Sequence, residues 1–264
     1  MLIAMVDESG KTVHAERAED HFVLSAVVFD ETDRAKAEAL HTHLCENTGS
    51  QRARTGLHFK DIASHGARRY MTHALGTRDW ITIVSVVVCK RHLPSGDALI
   101  EDVPAQYNYT FRFLLERLSW IAERRHTQLT YVAATLGSAP PEGLASYEQA
   151  LRHSRTSIKW DHLTEPAGIM LPQADEPLLN LADIAASATA KAVEPDSWGL
   201  VEPAYLRNLA PALYRSRDGN VKRYGIKLHP SNVEERDPYT LLTTLGREPG
   251  EAISIPARST TTPR

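Results

Sequence analysis

Cysteine is nearly missing from this chain: Cys45 and Cys89 are the only two, far apart and in no Cys-x-x-Cys pair. A disulfide framework is therefore excluded, and a reducing cytoplasm is the expected compartment. Long hydrophobic runs are also missing. No apolar stretch reaches the roughly 18 residues of a membrane-spanning helix. The amino terminus has no basic region ahead of its apolar run, so no signal peptide is expected. Nor is there an excess of positive charge: the net charge is −3. That argues against a nucleic-acid binder relying on a basic footprint. It leaves open a nuclease whose positive charge comes from metal ions. Internal repeats and low-complexity tracts are absent ahead of the carboxy-terminal tail.

What is present suits one large domain with a real core, at 264 residues and 42% hydrophobic composition. Strands are expected over 2–7, 21–29, 80–89 and 128–136, with a short one over 157–162. The first two read as a hairpin, because sequential strands tend to pair. The β-branched run 80–89 has the continuous apolar character of a strand buried on both faces. Helical patterns cover 33–47, 61–75, 105–125, 142–153 and the alanine-rich 176–193. Further on, a helix is expected over 203–214, a strand or hairpin over 219–228 and a short helix over 238–245. The division expected is a core over 1–195, an extension packed on it over 196–247 and a disordered tail over 248–264. An antiparallel start followed by βα units implies an α/β mixed sheet with helices on both faces. This order is similar to the ribonuclease H-like plan, in which a first-strand Asp and a carboxylate on the last core helix converge on divalent metal.

The chemistry-bearing residues fall in three places. Asp7 and Glu8 end the first apolar strand and lead into Ser9 and Gly10. At that edge they either point outward or hold a metal, since a half-buried carboxylate is costly without a cation. If the strand runs through both acids, Glu8 points to the face opposite Asp7. Asp183 sits in Asn180-Leu181-Ala182-Asp183-Ile184-Ala185-Ala186, with no basic residue one turn away. It either lies on a solvated face beside Asn180 or finds a cation. His58-Phe59-Lys60-Asp61 is the third. His58 suits metal ligation or proton relay, Lys60 suits phosphate, and Asp61 suits the cap of the next helix. Ser9 is a poor nucleophile, lacking a G-x-S-x-G context, and better suited to hydrogen bonding. Tyr107, within an aromatic cluster from Tyr107 to Phe113, belongs either to the core or to a base-stacking surface. Arg52, Arg54, Arg68 and Arg69 make a local basic patch or a solvated loop.

Val6-Asp7-Glu8-Ser9-Gly10, Leu57-His58-Phe59-Lys60-Asp61, the stretch Tyr109 to Trp120 and Leu178-Leu179-Asn180-Leu181-Ala182-Asp183-Ile184-Ala185 together resemble the bacterial domain-of-unknown-function 3800 family, over residues 2–230. The resemblance implies a ribonuclease H-like fold and a metal-dependent nuclease linked to mobile elements or phage defence. Asp7 matches the family's first-strand acid and Asp183 its last-helix acid, with His58 in the segment of its middle polar motif. Two positions depart from the pattern: Gly56 stands where many members have Glu, and Asn180 where Gln is common. Strand 128–136 also offers no acid. The expected site therefore has Asp7, Glu8 and Asp183 as ligands for Mg2+ or Mn2+, with Asp61 as an alternative to Glu8. His58 joins them in catalysis, and Lys60, Ser9 and Asn180 contact a nucleic-acid substrate. The alternative is a binding or scaffold protein on the same fold with a depleted site.

Overall fold

The computed structural model describes residues 1–10, 19–48, 57–94, 97, 102–136, 141–233, 239, 242 and 245. The expectations at Arg52, Arg54, Gly56 and 248–264, and most of that at 238–245, lie outside them.

Among the described residues six strands form one sheet: β1 (Leu2–Ser9), β2 (His21–Asp30), β3 (Thr82–Cys89), β4 (Leu129–Ala134), β5 (Leu163–Leu171) and β6 (Ile226–His229). Their order is β5-β4-β1-β2-β3-β6. β1 and β2 form the expected antiparallel pair, and β2 pairs antiparallel with β3. β4 runs parallel to β1, β5 parallel to β4, and β6 parallel to β3. The carboxyl ends of five strands therefore meet at one edge, joined there by the amino end of β2.

The α-helices among the described residues are α1 (Arg34–Asn47), α2 (His65–Gly76), α3 (Val103–Arg124), α4 (Pro141–Arg152), α5 (Leu179–Lys191) and α6 (Ala204–Leu209). The strand alternation divides the core. Ile3, Met5, Val23 and Val27 pack with α1, α2, α5 and α6. Leu2, Ala4, Val6, Leu24 and Ala26 pack with α3 and α4 on the other face. The fold is thus the expected α/β mixed sheet with helices on both faces. Ala182, Ala185 and Ala186 of α5 are wholly buried. Their small side chains let this helix lie close across β1 and β2.

Several boundaries differ from the sequence reading. Ser64, not Asp61, caps α2, its hydroxyl accepting from Ala67 N–H at 3.3 Å. Residues 59–61 form a separate 3-10 turn. The strand expected over 157–162 is not one; the strand is β5, just after it. β5 escapes notice because it contains Pro166 and Gly168, which an edge strand tolerates. The helix after Pro203 stops at Leu209, a 3-10 turn containing Pro211 follows, and the Tyr214 backbone N–H then donates to the Ile83 carbonyl of β3. The segment after 196 does more than pack on the core, because its β6 enters the sheet.

Among the described residues no helix is long and apolar enough to cross a membrane.

Candidate active site at the carboxyl edge of the sheet

A cavity of about 630 Å³ opens at the common carboxyl edge, lined by residues of β1, β4 and α5 and of the segments at 58–60 and 172–173. Ligand sites of open α/β sheets favour this position. Asp7, Glu8, Ser9, His58, Lys60 and Asp183 all line it. The three sequence segments singled out above therefore meet in space.

Asp7 is 5% exposed. Its Oδ1 accepts the Glu8 backbone N–H at 2.8 Å, and its Oδ2 accepts Gln173 Nε2 at 2.5 Å. Burial, then the charges of Glu8 and Asp183, push its carboxyl well above the usual range. Glu8 lies on the opposite face of β1, in line with Leu2, Ala4 and Val6, as the alternation requires. Burial raises its carboxyl too, opposed by hydrogen bonding with Asp7. Its Oε2 is buried with no hydrogen-bond partner among the described residues. Gly10 follows β1, with φ +104° and no room for a side chain: a Cβ would stand 2.3 Å from the His21 carbonyl oxygen.

Asp183 faces the cavity from α5. Its Oδ2 accepts Phe59 N–H at 2.8 Å and lies 3.9 Å from His58 Nδ1, and Ser187 Oγ donates to Oδ1 at 3.2 Å. Burial raises its carboxyl, with Phe59 N–H and then His58 pulling the other way. The solvated-face alternative does not hold, since Asp183 is held by donors around a cavity.

Asn180 is a correction. It is wholly buried and does not contact the cavity. Its Oδ1 accepts Leu57 N–H at 3.1 Å and lies 3.0 Å from His41 Nε2. Its side chain anchors the start of the segment that presents His58 and Lys60, rather than touching substrate. Asp61 is exposed, outside the cavity lining. Tyr107 is 1% exposed, too buried to stack on a base.

The sequence reading missed several wall residues. Gln173 follows β5 directly, brought to Asp7 because Thr135 N–H donates to Leu171 O and carries the β4–β5 pairing to the cavity rim. A lone Gln in a turn gives no sequence signal. Thr135 itself lines the cavity where β4 ends, so that strand adds no acid. At the far wall His21 Nδ1 donates to Glu194 Oε2 at 2.6 Å, while His21 Nε2 lies 2.7 Å from Tyr239 Oη. Tyr239 Oη is also 2.7 Å from Cys89 Sγ. Burial raises the Cys89 thiol, but hydrogen bonds from His21, Tyr239 and His92 bring it down to about 7.

The rim is basic. Lys60 and Lys191 are exposed, and the Arg68 guanidinium stacks 5.1 Å from the centre of the Phe59 ring. The floor has oxygen donors of the kind hard divalent cations take. A buried Asp7, the half-buried and mutually repelling Glu8 and Asp183, and an unpartnered Glu8 Oε2 fit such a cation, because a poorly solvated charge is costly without a counter-charge. In the side-chain positions seen here, no three Asp, Glu, His or Cys residues among those described converge as a ligand set.

No family model matches the chain, and no curated protein matches its sequence. Among solved structures, a chain of the PCNA:RNase HII complex from Archaeoglobus fulgidus is similar with a TM-score of 0.43 and 16% identity, over 72% of this chain and 73% of that one. The ribonuclease H2 from Pyrococcus horikoshii OT3 is similar with a TM-score of 0.42 and 15% identity, over 72% of each chain.

Proposed function

We propose that this protein is a divalent-metal-dependent nuclease that hydrolyses phosphodiester bonds of DNA or RNA. The observation carrying this reading is the meeting of Asp7, Glu8 and Asp183 in one cavity that Lys60, Arg68 and Lys191 also line, each carboxyl held above its ordinary range by burial. Perturbed acids in a cleft mark functional sites more often than structural ones. Asp7, Glu8 and Asp183 would hold Mg2+ or Mn2+. Divalent cations at such a site activate water and neutralise charge on a phosphate.

The remaining work falls to the chain's own groups. Phe59 N–H and Ser187 Oγ fix the Asp183 carboxylate, and Gln173 fixes Asp7. Lys60, exposed at the rim, attracts and seats the phosphate. His58, beside Asp183 and half-exposed to the cavity, passes a proton between the leaving oxygen and solvent. Ser9 offers a hydroxyl to the substrate from the end of β1. Membership of the domain-of-unknown-function 3800 family belongs to the same proposal, as do a cytoplasmic location and a role with mobile elements or phage defence. It rests on the motifs at 6–10, 57–61 and 178–185.

A second reading, a catalytically depleted binding or scaffold protein, draws on the acid-free end of β4 at Thr135 and the lack of a converged ligand set among the described residues. The test is Mn2+-dependent cleavage of labelled single- and double-stranded oligonucleotides by the wild type and Asp183→Asn. The nuclease reading expects cleavage by the first and none by the second, with unchanged circular dichroism. A wild type inert on every oligonucleotide favours the second reading.

A further inference from the structure

Glu8 Oε2 and Tyr107 Oη are among the buried polar atoms that have no hydrogen-bond partner among the described residues. They lie on the same face of the sheet. Glu8 projects in line with Leu2, Ala4 and Val6, the residues that α3 covers, and Tyr107 belongs to the first turns of α3. The Tyr107 ring packs edge-on against Phe22 of β2, two residues before Leu24, which pairs with Glu8. The charge of Glu8 adds to burial in raising the Tyr107 hydroxyl, which is consistent with this proximity. Packing does not explain the hydroxyl. A phenylalanine would fill the same space and strand no polar atom, and an unsatisfied buried group calls for a reason.

We propose that Tyr107 is the positioning residue of Glu8, its hydroxyl donating to Glu8 Oε2 when that carboxylate engages a divalent cation. This rests on the metal-dependent reading of the site. The ring is held by Phe22 and Phe111, so the hydroxyl is a fixed point against which the Glu8 carboxylate can be set. Such outer partners orient metal-binding carboxylates, and their loss weakens metal affinity by roughly 10-fold or more.

The test is calorimetric Mn2+ binding by the wild type, Tyr107→Phe, Glu8→Gln and the double variant, with a thermal melt of each in EDTA. The proposal expects Tyr107→Phe to melt at or above the wild-type temperature and to bind Mn2+ roughly 10-fold more weakly. In the Glu8→Gln background the same change has no further effect, because the partner is already gone. Tyr107→Phe that binds Mn2+ like the wild type overturns this proposal and leaves the metal reading standing. Tyr107→Phe that melts early or fails to fold also overturns it, by giving the hydroxyl a structural role. A wild type that binds no Mn2+ overturns the metal reading and this proposal with it.

Discussion

The backbone N–H of Phe59 donates to Asp183 Oδ2 at 2.8 Å, joining the last core helix to the segment between α1 and α2. One bond thereby sets two things. It orients a buried carboxylate at the sheet edge, and it places His58 and Lys60 on either side of it. Asn180, one turn earlier on α5, holds the same segment through Leu57 N–H. The site is therefore built by α5 gripping a loop, rather than by strands alone.

Asn180→Ala removes a wholly buried acceptor and strands the Leu57 N–H. The expected cost is about 1–3 kcal/mol of stability. Cleavage should fall as well, since the loop holding His58 loosens. Urea unfolding and steady-state kinetics on one preparation check both. Full stability in Asn180→Ala would show that the loop is held elsewhere.

Asp7→Asn should stabilise the metal-free protein. The Asp7 carboxyl is raised in the folded state, chiefly by burial. Below its unfolded-state value both states carry the proton and the group has no effect. As pH rises through the raised folded-state value, ionising the buried group lowers stability. In EDTA the variant should match the wild type in acid and melt a few °C higher, of the order set by about 1 kcal/mol, at alkaline pH. Adding Mn2+ should raise the wild-type melting temperature and not the variant's. Melting curves over a pH series check this; a variant less stable at every pH would make Asp7 a structural residue.

Lys60→Ala should weaken nucleic-acid binding without altering the fold, because Lys60 is exposed at the rim. A lost phosphate contact lowers the slope of log affinity against log salt by about 1. Binding of an oligonucleotide over a salt series gives the slope, and an unchanged slope would remove Lys60 from the phosphate path.

Gln173→Glu places another carboxylate beside Asp7 Oδ2, where an amide now donates. Without metal the new repulsion should lower the melting temperature, and with Mn2+ the extra ligand should tighten binding. Titration calorimetry and melts with and without Mn2+ measure the two shifts. Equal melting temperatures in EDTA for wild type and variant would contradict the contact.

Asp7 and Asp183 were legible in the sequence because each interrupts an apolar pattern with no nearby cation, and burial makes such acids conspicuous. The antiparallel opening hairpin and the alanine-rich helix were legible for a related reason, since their periodicity is strong. Gln173 was not, because its role depends on β5, and β5 hides behind Pro166 and Gly168 at the sheet edge. Asn180 was misread as a substrate contact. From sequence it shares a side with Asp183, but α5 is covered around most of its circumference, so a residue one turn away is wholly buried. The His21, Glu194 and Tyr239 contacts join residues more than 170 positions apart, beyond any local pattern.

The most direct test of the metal reading is a crystal grown with Mn2+ and measured at the manganese absorption edge. The account predicts an anomalous peak among the Asp7, Glu8 and Asp183 carboxylates, absent in crystals of Asp183→Asn. A cavity with no peak at millimolar Mn2+, or a peak held by other residues, would contradict it.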